Sequence, residues 1–133
     1  MKCLSFYIFS GRVEEQYLVQ HLYDIYGINE IKSINQYKDI YPLIFDFDRV
    51  DEGFKELFKV MKNENFDCIL FDYLCPSYFI YKLGLWTPVL GVKLVLHAVY
   101  DKNYFFTIDP IYKNPGWEGN PGLEHNINNI IGG

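Results

Sequence analysis

The sequence has no long apolar run and no signal for secretion. No stretch reaches the ~20 uninterrupted apolar residues that a membrane-spanning helix needs, because Lys93 and His97 interrupt the longest candidate. The apolar run after Lys2 lacks a small-residue cleavage site, which favours a first strand over a signal peptide. We therefore expect a soluble protein that does not act at a membrane.

Cysteine and basic residues are both scarce. The three cysteines are an odd number without the spacing of a disulfide framework, which favours a reducing compartment, and we expect a cytoplasmic location. Lysine and arginine number 12 against 17 aspartate and glutamate residues, so the net charge is −5. Because nucleic-acid backbones attract basic surfaces, nucleic acid is not an expected partner.

Motifs that bind phosphates or metals are missing as well. Gly11 follows the first predicted strand, but the chain has neither a GxGxxG nor a GK[ST] sequence, so a phosphate site is not predicted. Cys68, Cys75 and His97 stand without a CxxC pair or a spaced histidine pair, which argues against zinc. We expect no metal and no cofactor.

Apolar and aromatic residues are abundant. The chain has 133 residues, of which 50% are hydrophobic and 19% aromatic, enough for one domain with a packed core. It contains 12 tyrosines and 11 phenylalanines. A buried tyrosine needs a partner for its hydroxyl, so the tyrosines favour the periphery of a core, with an aromatic ligand site as the alternative.

The first half of the chain alternates between strand and helix patterns. The apolar spacing and the turn residues predict, in order, a strand at 3–9, a helix ending at Gly27, a short strand within 31–41, a strand at 42–47, a helix capped by Asp51 and a strand at 66–72. In the helix after Asp51, apolar residues recur at Phe54, Leu57, Phe58 and Met61. Such alternation is typical of parallel α/β units with right-handed crossovers.

The second half of the chain predicts a helix followed by an antiparallel pair of strands. CPSYFIYKLG predicts a short helix with Pro76 at its first position and Gly84 just past its end, and TPVLGV begins the next strand. LVLHAVY and YFFTID are joined only by DKN, so they predict an antiparallel hairpin. The expected fold is a single α/β domain over 1–110 with a mixed sheet, followed at 111–133 by an Asn/Gly/Pro-rich loop or tail with Trp117 as its anchor.

Cys75, His97 and Asp109 occur in an order that thiol enzymes use. Cys75 stands at the predicted helix N-cap, where the helix dipole lowers a thiol pKa. With a three-residue loop, Tyr100 pairs with Tyr104 and His97 lies opposite Thr107. Asp109 is then diagonal to His97 on the same face, whereas a two-residue loop places it on the opposite face.

LVLHAVYDKNYFFTIDPIY resembles the His and Asp-Pro hairpin of papain-like enzymes of the bacteriocin-processing type and of the transglutaminase core. In the latter a cysteine opens a helix that ends in an LG turn, as Cys75 to Gly84 does here. The resemblance implies that Cys75 is the nucleophile, His97 the base and Asp109 the residue that orients it. Cys3 is a second candidate nucleophile, with a spacing to His97 closer to that of papain-like chains.

FDCILFDYLCPSYFIYKLGLWTPVLGV is similar to a segment of the N-terminal Rossmann-like domain of GT-B glycosyltransferases. The chain is too short for two such domains, so this resemblance implies only the fold.

Two functions from different classes fit these patterns. The first is a thiol hydrolase or acyl transferase acting on a peptide or amide substrate, which requires a partly exposed Cys75 with its sulfur near His97. The second is a non-catalytic binding or accessory protein, for example a small viral or host-interaction factor, which requires an exposed apolar or aromatic patch. In both cases the expected partner is a peptide or a protein.

Overall fold

A computed structural model describes residues 1–101 and 104–112 of the chain. Within this part, the strands are β1 (Lys2–Ser5), β2 (Glu30–Ser33), β3 (Cys68–Asp72), β4 (Leu94–Asp101) and β5 (Tyr104–Tyr112), and the helices are α1 (Val13–Tyr26), α2 (Tyr41–Ile44), α3 (Val50–Glu64) and α4 (Ser77–Leu90). The sheet has the strand order β2-β1-β3-β4-β5. β1 to β4 are parallel and β5 is antiparallel to β4, which confirms the predicted α/β class and mixed sheet.

Helices cover both faces of the sheet. Leu18 and Leu22 of α1 pack on one face against a cluster of strand residues that includes Cys3, Cys68 and Leu70. On the other face α2, α3 and α4 pack over Leu4, Ile69 and Phe71. All five residues of the central strand β3 are buried, as expected for a parallel strand that is covered on both sides.

The strand order reverses direction between β1 and β3. The connection from β1 through α1 leads outward to β2, whereas the chain later returns to place β3 on the other side of β1. In open α/β sheets this change of direction leaves a crevice at the carboxyl ends of the two strands, where ligands commonly bind. The loops that follow Ser5 and Asp72 therefore lie at the place in the fold where ligands commonly bind.

The predicted strand at 42–47 is wrong. The segment forms the short helix α2, in which Pro42 lies in the first turn, a position that needs no backbone donor. Ile40 and Ile44, four residues apart, are both buried against α3. The apolar run is so short that its composition does not distinguish a strand from a buried turn of helix.

The predicted end of the fourth helix at Gly84 is also wrong. α4 continues through Gly84 and the TPVL segment to Leu90, and Gly91 ends it with a φ of 69°. Gly84 is tolerated in the helix interior because it lies on the buried face. Thr87, predicted to begin a strand, donates its hydroxyl to the carbonyl of Leu83 in the preceding turn.

The capping predictions have mixed outcomes. Gly27 ends α1 with a φ of 69°, as predicted. Asp51 does not cap α3, which has Arg49 at its N-cap. Its carboxylate instead accepts hydrogen bonds from Lys82 Nζ and Trp86 Nε1, each at 2.9 Å, and so joins α3 to α4. The predicted apolar face of α3 is confirmed, since Phe54, Leu57 and Met61 are buried and Phe58 packs beside them.

The hairpin of β4 and β5 is confirmed, but its register differs from the prediction. Asp101 pairs with Tyr104, and a register shift between Val99 and Asp101 leads to the pairing of His97 directly with Asp109. Thr107, expected opposite His97, pairs with Val99. The connection is shorter than expected, and the irregularity compensates for it, as β-bulges do.

The strand β5 extends to Tyr112, two residues past the predicted domain end at 110. The predicted tail from 113 onwards, with Trp117, lies outside the described residues. Among the described helices, none combines the length and the apolar character required to cross a membrane.

Candidate functional site

Two loops meet at the carboxyl ends of β1 and β3. The backbone N–H of Phe6, just past β1, donates to the carbonyl of Leu70 in β3 at 2.7 Å. The chain beyond Ser5 therefore still follows β3 before it turns toward α1. The loop after Asp72 leads through Cys75 to α4, whose N-cap is Pro76 and not Cys75.

Cys75 and Asp72 form a compact turn in this loop. The thiol Sγ lies 3.6 Å from Asp72 Oδ1, and the backbone N–H of Cys75 donates to the Asp72 carbonyl at 3.2 Å. Burial, with the neighbouring carboxylate adding to it, raises the pKa of Cys75 to about 12. Burial also raises the pKa of Asp72. The thiol is therefore protonated at neutral pH, opposite to the low pKa that the N-cap prediction implied.

His97 lies in the middle of β4, on the face that α4 covers. Its ring stacks on Phe71 with a centroid separation of 4.8 Å, and its Cα pairs with those of Phe71 and Asp109. Phe71 and Cys75 belong to the same core cluster, so His97 and Cys75 share one side of the sheet. Both are nearly covered, each with 8% of its surface exposed. The side chain of Asp109 is not among those the structure describes.

Cys3 lies on the opposite side of the sheet. It is fully buried in the cluster beneath α1, and its Cα pairs with that of Cys68 on the neighbouring strand. Burial, followed by a hydrogen bond with the Cys68 thiol, raises the pKa of Cys3. The sheet therefore separates Cys3 from the stacked ring of His97.

A polar network that the sequence did not reveal holds the loop between β1 and α1. The carboxylate of Glu15 accepts hydrogen bonds from the Tyr7 hydroxyl at 2.6 Å, from Ser10 N at 3.0 Å and from Arg12 N at 2.7 Å. Burial opposes ionisation of Glu15, but these hydrogen bonds outweigh it and lower its pKa. Arg12 Nη2 donates to the same tyrosine hydroxyl at 2.9 Å.

The same network occupies backbone donors in the loop before α1. Glu15 is the third residue of the helix, and its carboxylate accepts from the backbone N–H of the N-cap residue Arg12, which is one half of a capping box. The usual sequence signal for a capping box is Ser or Thr at the N-cap. Arg12 stands at that position, and its backbone carbonyl accepts the N–H of Glu15 at 3.1 Å in place of a side-chain oxygen.

A groove lies between α1 and the edge strand β2. It has a volume of about 530 Å³ and is lined by Phe9, Val19, Ile28, Asn29, Ile31, Ser33, Asn35 and Gln36. A smaller depression of about 280 Å³ at the start of α1 shares Phe9 and Val19 with it. The larger volume is within the range of small-ligand sites in proteins.

The solvent side of α4 carries an apolar surface, here called the α4 patch. Tyr81, Leu85 and Val89 recur every four residues on this helix with 53%, 51% and 55% of their surfaces exposed, and Tyr73 and Leu74 in the preceding loop are exposed by 57% and 71%. Residues four apart lie on one helix face, so the three helical members form a stripe ~12 Å long.

Among the side chains the structure describes, no group of three His, Cys, Asp or Glu residues is placed to hold a metal ion. The strand order, the two-sided helix cover and the edge hairpin define an α/β protein with a doubly wound arrangement of its parallel strands. No protein-family model, no curated protein and no solved structure gives a significant match to this chain.

Proposed function

We propose that this chain is a non-catalytic binding protein that contacts a partner protein through the α4 patch. The observation that supports the proposal is the composition of α4, which is apolar on both of its faces although only one face packs on the sheet. A helix that is hydrophobic all round is normally buried on all sides. The exposed stripe therefore fits a surface that a partner covers.

The geometry of the patch suggests the type of partner. Tyr81, Leu85 and Val89 form a row that is inclined to the axis of α4, which matches an amphipathic helix packed across α4 with its own apolar stripe inward. Lys82 beside the row is already paired with Asp51 at 2.9 Å, so the row offers little charge for recognition. Three thiols without disulfide bonds are consistent with a cytoplasmic site of action.

The α4 patch can be tested by charge insertion at its centre. We expect Leu85→Glu in the full chain to lose most of the binding of the apolar dye ANS without a change in melting temperature, because Leu85 is half exposed. The matched control is Ile25→Glu on α1, at a residue that is 61% exposed. Equal dye binding by the wild type and Leu85→Glu would contradict the proposal.

Partner capture is the functional readout. A photo-crosslinking amino acid placed at Leu85 is expected to yield a defined adduct with one protein, and the same group at Ile25 is expected not to. Adducts that are identical from both positions, or absent from both, would leave α4 without a binding role.

A thiol hydrolase or acyl transferase is the second candidate, and the pairing of His97 with Asp109 in the hairpin register supports it. The two functions differ in the reactivity of Cys75. With a pKa near 12, the thiol is expected to react with iodoacetamide at neutral pH more slowly in the native chain than in the urea-unfolded chain. Labelling of Cys75 that is faster in the native chain would favour the enzyme.

A further inference from the structure

Within residues 1–101 and 104–112, β2 lies at an edge of the sheet. Within the described residues it pairs with β1 alone, in parallel and without a register shift from Lys2–Glu30 to Ser5–Ser33. In a parallel pair, alternate residues direct their N–H and C=O groups away from the partner strand. The outer side of β2 therefore presents backbone donors and acceptors that an added strand can use.

β2 is short and carries Glu30 and Lys32, but it has neither of two other features that protect an edge strand, a proline or a bulge. Its four residues, EIKS, include no proline, and the pairing with β1 is regular. A lysine often guards an edge, but Lys32 is held away by Glu64, whose Oε1 lies 2.6 Å from its Nζ. The lysine side chain is thereby fixed on the face of the sheet that α3 covers.

The groove beside α1 runs along the whole length of this strand. Ile28 and Asn29 line it before β2, Ile31 and Ser33 line it within the strand, and Asn35 and Gln36 line it beyond the strand. Ile31 and Ser33 are two residues apart, so they share one face of β2. Phe9 and Val19 form the opposite wall. A chain paired with β2 would therefore place every second side chain in this groove.

The lining of the groove indicates which side chains fit. Phe9, Val19, Ile28 and Ile31 offer apolar surface, while Asn29, Ser33, Asn35 and Gln36 offer neutral amides and a hydroxyl. None of these eight residues carries a charge. A charged ligand side chain would lose its hydration without gaining a partner, so small apolar or neutral polar side chains are favoured.

We propose that β2 and the groove between α1 and β2 bind an extended peptide of a partner protein by strand addition, with uncharged side chains at alternate positions entering the groove. Backbone hydrogen bonds to the strand edge supply affinity, and the groove supplies selectivity. This site lies on a different edge of the molecule from the α4 patch and does not depend on it.

The test uses a fluorescein-labelled peptide of alternating valine and threonine, with binding to the full chain followed by fluorescence anisotropy. We expect saturable binding that is lost when alternate amide nitrogens of the peptide are methylated, because strand addition requires those donors. A peptide with lysine at the valine positions is expected to bind at least about tenfold more weakly. Absence of binding, or equal binding of the methylated peptide, would overturn the proposal.

Two variants locate the binding on the protein. Val19→Glu places a charge in the groove at a residue that is 42% exposed, and it is expected to weaken binding by roughly tenfold or more. Val13→Glu on the same helix, at a residue that is 65% exposed and outside the groove lining, is the matched control and is expected to bind like the wild type. Unfolding curves of both variants check that they fold.

Amide chemical shifts give an independent readout. On addition of the peptide, the largest changes are expected between Ile28 and Gln36, with little change in α4. Leu85→Glu is expected to leave peptide binding unchanged, so failure of the α4 proposal and failure of this one are distinguishable. Shift changes confined to α4 would exclude the groove as the peptide site.

Discussion

At the residue scale, the carboxylate of Glu64 links three separate segments of the chain. It accepts hydrogen bonds from Lys32 Nζ and Tyr37 OH, both at 2.6 Å, and from Lys2 Nζ at 3.3 Å. The bonds from Lys32 and Tyr37 contribute most to lowering the pKa of Glu64 to about 2. One side chain at the end of α3 thus joins β1, β2 and the turn that follows β2.

Replacement of Glu64 by glutamine is expected to destabilise the fold at neutral pH. The side chain is 26% exposed, so solvent screening reduces its contribution, and we expect a loss of about 1 kcal/mol in the free energy of unfolding. Urea titration at pH 7 measures it. The control is Glu56→Gln. Its carboxylate pairs with Lys59 on the surface of α3, and the loss in the free energy of unfolding should be close to zero.

The same carboxylate predicts a pH dependence. Because the folded-state pKa of Glu64 lies below its usual value of 4.5, protons bind the unfolded chain first as the pH falls. The stabilisation is therefore complete above about pH 5 and is lost as the pH falls toward 2. Unfolding curves of Glu64→Gln are expected to show a smaller decline over this range than those of the wild type. Parallel declines would mean that other groups dominate the acid response.

The pKa of Cys75 was predicted in the wrong direction from its local sequence. Its place before Pro76 and a helix predicted an activated thiol, but the structure surrounds it with the core that includes Phe71 and Phe79. Local sequence indicates the helix start, whereas burial depends on which distant residues pack over the loop. The desolvation that raises its pKa therefore could not be predicted from the local pattern.

At the element scale, α2 and α3 are in close contact through a glycine. An ideal Cβ on Gly53 would lie 2.8 Å from the backbone N of Ile44, closer than real contacts allow. Only a residue without a side chain lets the two helices approach so closely. The predicted strand at 42–47 missed this contact, because it forms only when the segment coils into a helix.

Gly53→Ala is expected to destabilise the protein although alanine favours helices. The clash with backbone atoms costs more than the ~1 kcal/mol gained in helix propensity, and we expect a net loss of about 2 kcal/mol in the free energy of unfolding. Gly11→Ala is the control, since a Cβ there meets no atom within 4 Å and only the φ of 82° opposes it. Equal or greater stability of Gly53→Ala would refute the close contact.

At the scale of the whole molecule, the strand order predicts a gradient of protection. β3 lies at the centre of the sheet, is buried throughout and pairs on both sides, whereas β2 has β1 as its only described neighbour. Amide hydrogen exchange is expected to be slowest in β3 and much faster in β2. Added valine–threonine peptide should slow exchange in β2 alone. Uniform exchange across the sheet would contradict this gradient.

The sequence by itself determined the class of fold and most of its elements. The periodicity of apolar residues predicted α1, α3 and β3, and the short connection DKN predicted the hairpin, because these signals depend on neighbours within a few residues. For the binding function, the same reasoning predicted an exposed apolar or aromatic patch but did not predict that it lies on α4.

The tertiary structure alone decided the features that depend on distant contacts. The helix α4 continues through Gly84 because its packing on the sheet tolerates a glycine there. The hairpin pairs His97 with Asp109 through an irregularity that no residue pattern predicts. The groove between α1 and β2 lies beside the outermost described strand on that side of the sheet. Strand order arises from interactions between segments far apart in the chain, so local sequence signals do not contain it.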